Sequence, residues 1–261
     1  MERAAWALEL PELQGAQSFR VEARREGDHP FQSPEVERRL GAPLRARYGV
    51  AVDLEAPQVR VRVDVRGGEA LLGVQLTARP LSRRFPKASP RGSLSPVLAQ
   101  ALLRLGGARP GARVLDPFTG SGTIALEAAD TLGRESPVYA GDLDEGRLVL
   151  AREAALASGL PWIEFRRADT RRLPHFFPQV NLILANPPHG LRLGRRSALL
   201  GLYRDFLEEA KALLPPGGRL VLLTLRPALL RRVLPPGLAL RHARVVEQGG
   251  VYPRFLVLEK L

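Results

Sequence analysis

The sequence predicts an α/β protein, a mostly parallel seven-stranded sheet with helices on both faces, preceded by a small α+β part. Three observations predict it. From residue 96 onward helical and strand patterns alternate, the pattern of a wound parallel sheet. A glycine-rich turn sits directly between a strand and a helix at residues 114–123, where such sheets bind ligands. The C-terminal end breaks the alternation with two strand patterns joined by Gly249-Gly250, an antiparallel terminal hairpin.

The front elements follow from their spacing. Ser18–Arg25 alternates like a half-exposed strand. Ser33-Pro34-Glu35 opens a helix: serine suits the cap, proline the first turn and glutamate the positive end. Val36, Leu40 and Leu44 give that helix one apolar face as far as Tyr48. Val59–Val65 alternates strictly, Arg66-Gly67-Gly68 turns, and Ala70–Thr77 returns as the hairpin partner. The organisation expected is a front part over residues 1–80, a linker rich in proline, arginine and serine over 81–95, and an α/β domain over 96–261.

In the α/β domain a helix spans Pro96–Leu105. Strand Ala112–Asp116, helix Thr123–Thr131, strand Val138–Asp142 and helix Asp144–Ser158 follow. Then come strands Ile163–Arg166 and Leu182–Ala185, helix Ser197–Leu214 and strand Leu220–Leu225. Leu238–Glu247 and Tyr252–Glu259 form the terminal pair.

Composition narrows the function classes. With no cysteine among 261 residues there is no disulfide scaffold, thiol nucleophile or cysteine zinc site. His29, His175, His189 and His242 stand at no metal-binding spacing, so no metal is expected. No apolar run is long enough to span a bilayer, and the acidic opening MERAAWALELPEL is unlike a secretory leader, so a cytoplasmic protein without membrane attachment is expected. The net charge of +12 attracts polyanions, nucleic acid first. Residues 1–90 carry +3 of it and residues 91–261 carry +9. Almost all of the positive charge is arginine, whose planar fork suits phosphate and stacks on bases, although a GC-rich genome gives the same bias.

The glycine turn reads Val114-Leu115-Asp116-Pro117-Phe118-Thr119-Gly120-Ser121-Gly122-Thr123. It matches neither a dinucleotide fingerprint nor a P-loop, and no lysine follows to meet phosphates. Asp116 at the strand end instead suits an ammonium or a nearby sulfonium. Asp142, roughly 20–25 residues beyond the loop, falls where a carboxylate accepts from ribose hydroxyls. Asp144 shares that position or caps the following helix. Asp169, one strand further along, accepts from an adenine amino group or is a surface carboxylate among Arg166, Arg167, Arg171 and Arg172.

After the fourth strand stands Asn186-Pro187-Pro188-His189. The prolines fix the backbone and remove two donors, which frees carbonyls for the cleft. The Asn186 side-chain oxygen and the Pro187 carbonyl together accept both hydrogens of one exocyclic amine. Holding them localises the nitrogen lone pair, and attack on a methyl sulfonium then needs alignment and charge complementarity, not a metal. His189 either stacks on the base or is a solvated loop residue.

These motifs in combination carry a resemblance. Residues 112–261 resemble a class I S-adenosylmethionine-dependent methyltransferase of the amino-methylating NPP type, with a Rossmann-like sheet. Residues 18–80 resemble the latter half of a THUMP domain, an RNA-binding module. The segments ASPRGSLSPVLAQALLRL, DPFTGSGTIALEAA, GDLDEGRLVLAREAALASGL and NPPHGLRLG are together similar to the THUMP-linked guanine-N2 methyltransferases that act on tRNA. That likeness implies S-adenosylmethionine as methyl donor and N2-methylguanosine at the sixth nucleotide of the tRNA acceptor stem as product. It assigns Asp116, Thr119, Gly120, Ser121, Gly122, Asp142 and Asp169 to the donor, beside which Asp144 is expected from its position, and Asn186, Pro187, Pro188 and His189 to catalysis. Arg83, Arg84, Arg91, Arg192, Arg195 and Arg196 are the expected RNA contacts, and a monomer is expected. Three features depart from the family pattern. Histidine holds a position commonly tyrosine or phenylalanine, Ala154-Ala155 replaces a frequent Asn-Ala pair, and the front part is shorter than a full THUMP domain with its usual companion. Methylation of rRNA guanine is the nearest alternative activity. A non-catalytic RNA-binding protein with a vestigial site is the alternative of another class.

Overall fold

The computed structural model describes residues 6–77, 94–189, 196–248 and 250–261, with only the backbone at residues 196 and 197. The chain divides into two compact units between residues 79 and 80.

The first unit begins with a short 3-10 turn, Pro11–Leu13, and builds a four-stranded sheet. Its elements are β1 (Ser18–Glu26), α1 (Ser33–Tyr48), β2 (Ala51–Val52), β3 (Val59–Arg66) and β4 (Glu69–Val74). The order is β2-β1-β3-β4, with β1 parallel to β2 and β3, and β3 antiparallel to β4. Alternation decides which face packs: Phe19 and Val21 of β1 meet Val61, Val63 and Val65 of β3 over Val36, Leu40 and Leu44 of α1. On the same two strands Glu22 pairs with Arg60 at 2.6 Å and Arg62 at 2.5 Å. Two expectations need correction. Ser33 does not cap α1: it is the first helical residue, Gln32 holds the cap position without a capping side chain, and its amide oxygen accepts from Arg25 at 2.8 Å. The strand β2 was not expected, because two exposed residues carry no alternation to read.

The second unit comprises α2 (Pro96–Gly106), β5 (Val114–Asp116), α3 (Thr123–Leu132), β6 (Val138–Asp142), α4 (Glu145–Ala157) and β7 (Glu164–Arg167). A 3-10 segment, Thr170–His175, then leads to β8 (Leu182–Ala185), α5 (Arg196–Leu213), β9 (Arg219–Thr224), α6 (Pro227–Arg232), β10 (Leu238–Val245) and β11 (Arg254–Lys260). Neither the 3-10 segment nor α6 was expected from the sequence. Both are a single short stretch opened or interrupted by proline, too brief to show a period.

The strand order is β10-β11-β9-β8-β5-β6-β7, parallel except where β11 lies antiparallel between β9 and β10. From the central β5 the chain fills one side with β6 and β7, then crosses to β8 and β9 on the other. That reversal opens a crevice at the carboxyl ends of β5 and β8, where ligands settle in such sheets. Both faces are covered, so the middles of the inner strands are apolar. In β8, Leu182 and Leu184 join the core under α2 and α3, while Ile183 and Ala185 join the core under α5.

Candidate active site

The carboxyl ends of β5, β6, β7 and β8 border one cavity of about 600 Å³, a size suited to a small organic ligand. Asp142 from the end of β6, Asp169 from beyond β7, and Asn186, Pro188 and His189 from beyond β8 line it. The sheet thus brings together residues that the sequence separates by more than forty positions.

The glycine turn forms because two of its residues adopt the left-handed region, Gly120 at φ 52° and Gly122 at φ 88°. A side chain on Gly122 would also bring a Cβ within 3.1 Å of Ala151. The Thr119 N–H donates to the Gly141 carbonyl at 2.9 Å, and the Gly120 N–H to Asp142 Oδ2 at 2.9 Å. The turn is therefore fastened to the end of β6. Asp116 lies behind it, 1% exposed, accepting from the Thr119 hydroxyl at 2.9 Å and the Phe118 N–H at 3.3 Å. Burial, with the Asp142 charge adding to it, pushes its carboxyl up to about 7. Asp116 and Thr119–Gly122 are not on the cavity wall; Pro117 and Phe118 of the same turn are, and Gly120 ties the turn to Asp142 there.

Asp142 Oδ1 accepts from the Asp144 N–H at 3.0 Å, which leaves lone pairs on both oxygens for a ligand. Asp144 caps α4, accepting from the N–H groups of Gly146 at 2.9 Å and Arg147 at 3.3 Å, and is not on the wall. Asp169 was expected either to accept from an adenine amino group or to be a surface carboxylate among arginines. It lines the cavity, and its two oxygens grip Arg171 at 2.6–3.1 Å, a pairing that holds its carboxyl below the usual range.

Asn186 is set apart by what it lacks. Its Oδ1 is buried and has no hydrogen-bond partner, although the residue borders the cavity. Native buried oxygens are rarely left so, and such an atom points to a ligand donor. Pro187 is buried. The Pro188 carbonyl is not free for the cleft: the Tyr203 hydroxyl donates to it at 3.0 Å. His189 is half-buried, not solvated; its Nδ1 lies 3.5 Å from the Leu225 N–H, and its carbonyl accepts from Arg226 Nε at 3.1 Å. Burial, and then Arg226, hold its imidazole below the ordinary histidine value.

Arg83, Arg84, Arg91, Arg192 and Arg195 lie outside the described residues, and Arg196 opens α5 with only its backbone described. Sequence reasoning missed several residues here. Leu143, 59% exposed between Asp142 and Asp144, lays an apolar patch on the wall. Phe118, packed edge-on against Phe206 at 4.9 Å, lines it too, as do Leu202, Arg147 and Arg171. The one signal available was Leu143 itself, an apolar residue between two acids at a strand end. Among the described residues no lysine lines the cavity. Two carboxylates, an apolar patch and an orphan amide oxygen fit a ligand that presents hydroxyls and amines beside a flat ring.

An RMKL-like methyltransferase domain matches residues 83–251, and a THUMP domain matches residues 1–75. The chain belongs to the THUMP-bearing RMKL-like methyltransferases. It is 78% identical over its whole length to a tRNA (guanine(6)-N2)-methyltransferase of Thermus thermophilus, covering 78% of that protein. The enzyme of the same description from Archaeoglobus fulgidus is 28% identical over 92% of this chain and 69% of its own. Among solved structures, TrmN from Thermus thermophilus matches with a TM-score of 0.74 at 77% identity, over all of this chain and 77% of that one. SMU.472, a putative methyltransferase complexed with SAH, shares the fold with a TM-score of 0.66 at 16% identity, over all of this chain and 80% of that one. The expected fold class holds in both parts, a methyltransferase sheet with an antiparallel C-terminal pair and a THUMP domain before it.

Proposed function

We propose that this methyltransferase transfers a methyl group from S-adenosylmethionine to the exocyclic N2 of guanosine 6 in tRNA: the N–C bond forms as the S–C bond breaks, the donor leaves as the thioether S-adenosylhomocysteine, and one N2 proton passes to solvent to give N2-methylguanosine. The observation that carries the reading is the buried, unpartnered Oδ1 of Asn186, a residue that lines the same cavity as Asp142 and Asp169. The relatives that match along nearly the whole chain support the choice of nucleotide.

The donor supplies an electrophilic methyl group on a sulfonium. The chain's residues do the rest. Asp142 accepts from the ribose hydroxyls, with the lone pairs that Gly120 and Asp144 leave over. Asp169 and the exposed Leu143 face take the adenine. Asp116, Thr119, Gly120, Ser121 and Gly122 shape the turn beneath the donor's amino-acid end, and Asp144 holds α4 in place behind it. Asn186 Oδ1 and the Pro187 carbonyl accept the two N2 hydrogens, which turns the nitrogen lone pair toward the methyl group. Pro188 fixes the turn, and His189 at the cavity edge packs against the base. Binding of this kind raises the rate by alignment and by charge placement.

Guanine N2 in a duplex is tied up in its base pair, so the nucleotide leaves the stack to reach Asn186, at a cost of a few kcal/mol. Arg83, Arg84, Arg91, Arg192, Arg195 and Arg196 contact the phosphates, and the THUMP domain holds the RNA. The enzyme works as a monomer in the cytoplasm, a compartment that suits a chain without cysteine. Incubation with unmodified tRNA and rRNA and a methyl-labelled donor, followed by nucleoside mapping, tests this. Label at N2 of guanosine 6 is the expected result; label only in rRNA, or none, overturns it.

A further inference from the structure

The loop that carries Asn186 cannot hold itself. Pro187 and Pro188 have no N–H, so the backbone there is tied down only through carbonyls and side chains. The structure supplies ties from outside the loop. The Tyr203 hydroxyl, on α5, donates to the Pro188 carbonyl at 3.0 Å. Tyr203 Oη also lies 3.3 Å from Thr224 Oγ1, at the end of β9, and the Arg226 N–H donates to that same Oγ1 at 2.9 Å. Tyr203 is 1% exposed and Thr224 0%.

These contacts allow one arrangement of protons. A backbone N–H only donates and a carbonyl only accepts. Tyr203 has a single hydroxyl proton, and it is committed to Pro188. Thr224 must therefore give its own proton to Tyr203 Oη while it accepts from Arg226. The result is a directional chain: Arg226 N–H to Thr224 Oγ1, Thr224 O–H to Tyr203 Oη, and Tyr203 O–H to the Pro188 oxygen. Burial raises the phenol's affinity for its proton, and that keeps the last link intact. Chains of this kind strengthen each link by polarising the next.

From this geometry we infer that Tyr203 and Thr224 are positioning residues for methyl transfer: their hydroxyl relay occupies the Pro188 carbonyl and fixes the loop so that Asn186 Oδ1 and the Pro187 carbonyl are left for the incoming amine. The inference rests on the reading of Asn186 as the amine acceptor. It adds that the acceptor is aimed from outside its own loop, by two side chains that touch neither donor nor RNA. Neither lines the cavity.

The test is steady-state methylation of unmodified tRNA by wild type, Tyr203→Phe, Thr224→Val and Thr224→Ser, with donor binding measured separately by calorimetry. Tyr203→Phe and Thr224→Val should lower kcat roughly 10- to 100-fold, the scale of a small misplacement of a reacting group. KM for tRNA and donor affinity should stay within about twofold of wild type. Thr224→Ser keeps the relay and should retain kcat. If Tyr203→Phe does not fold, as judged by circular dichroism and melting, the comparison of Thr224→Val with Thr224→Ser decides alone. Unchanged kcat in folded Tyr203→Phe, a loss confined to KM or donor affinity, or a serine variant as impaired as the valine one overturns the inference. Wild type that methylates no tRNA overturns the reading of function instead, so the two failures are distinct.

Discussion

The Asp142 carboxylate and the Gly120 N–H are joined at 2.9 Å, which makes the residue expected to hold the ribose also the anchor of the glycine turn. Its other oxygen accepts from the Asp144 N–H at 3.0 Å, so both oxygens act as acceptors before any ligand arrives. Asp142→Ala should therefore cost donor affinity on the order of 1–3 kcal/mol, through the unmade ribose bonds and a loosened turn. Asp142→Asn should not rescue it, because an amide presents one acceptor and one donor where two acceptors are needed. Calorimetric titration with the donor checks both; wild-type affinity in either variant removes Asp142 from the site.

Asn186→Ala is expected to separate catalysis from stability. Its Oδ1 has no partner in the structure, so the variant loses nothing there on folding and sheds an unsatisfied buried oxygen. The melting temperature should stay level or rise. Turnover should fall on the order of a hundredfold or more, the scale of removing one group that acts mainly in the transition state, while donor and tRNA affinity hold. Retained turnover would refute the amine-gripping mechanism.

Asp116 gives the protein a pH dependence of definite sign. Its folded carboxyl, pushed up to about 7 by burial, holds a proton that the unfolded chain releases near 3.8. Between those values the folded state binds more protons than the unfolded, so stability falls as pH rises through the window. The contribution lost is on the order of a few kcal/mol by pH 8. Asp116→Asn removes it. The variant's melting temperature should gain on wild type from pH 5 to pH 8, and an unchanging gap between the two proteins would contradict the assignment.

Much of this was legible in the sequence because long elements with one buried face or two leave a period. Strands Val138–Asp142 and Leu182–Ala185 occur at the expected bounds, and the glycine turn stands between a strand and a helix as expected. The site was legible as residue types at strand ends. It was not legible as a hydrogen-bond network. Nothing in the local pattern says that the Pro188 carbonyl is taken, since its partner Tyr203 lies 15 positions away on another element. Nor could spacing reveal that Asp169 is already gripped by Arg171, or that Asp144 is occupied by the start of its own helix. Such contacts depend on which side chains the packed sheet brings together.

Arg195 and Arg196 stand six and seven positions after His189 in the chain and are expected to meet phosphate. Replacing both by glutamine should weaken tRNA binding and flatten the plot of log affinity against log salt by about one to two. Filter binding between low and moderate salt measures it; an unchanged slope means that these arginines face solvent.

The two compact units each have their own apolar core, Phe19, Leu40 and Val63 in the first, and Leu102, Ile183 and Leu222 among others in the second. Among the described residues, those of the cavity wall fall between 117 and 202. Removing residues 1–80 should therefore leave donor affinity near that of the full chain. The first unit carries on its outer sheet face a lattice of arginine and glutamate, Arg60 and Arg62 around Glu22. Its loss should instead appear in tRNA affinity and in the choice of target. Calorimetry with the donor and nucleoside mapping on tRNA read the two effects separately. A shortened chain that still methylates guanosine 6 with full efficiency would show that the THUMP domain is not what holds the RNA.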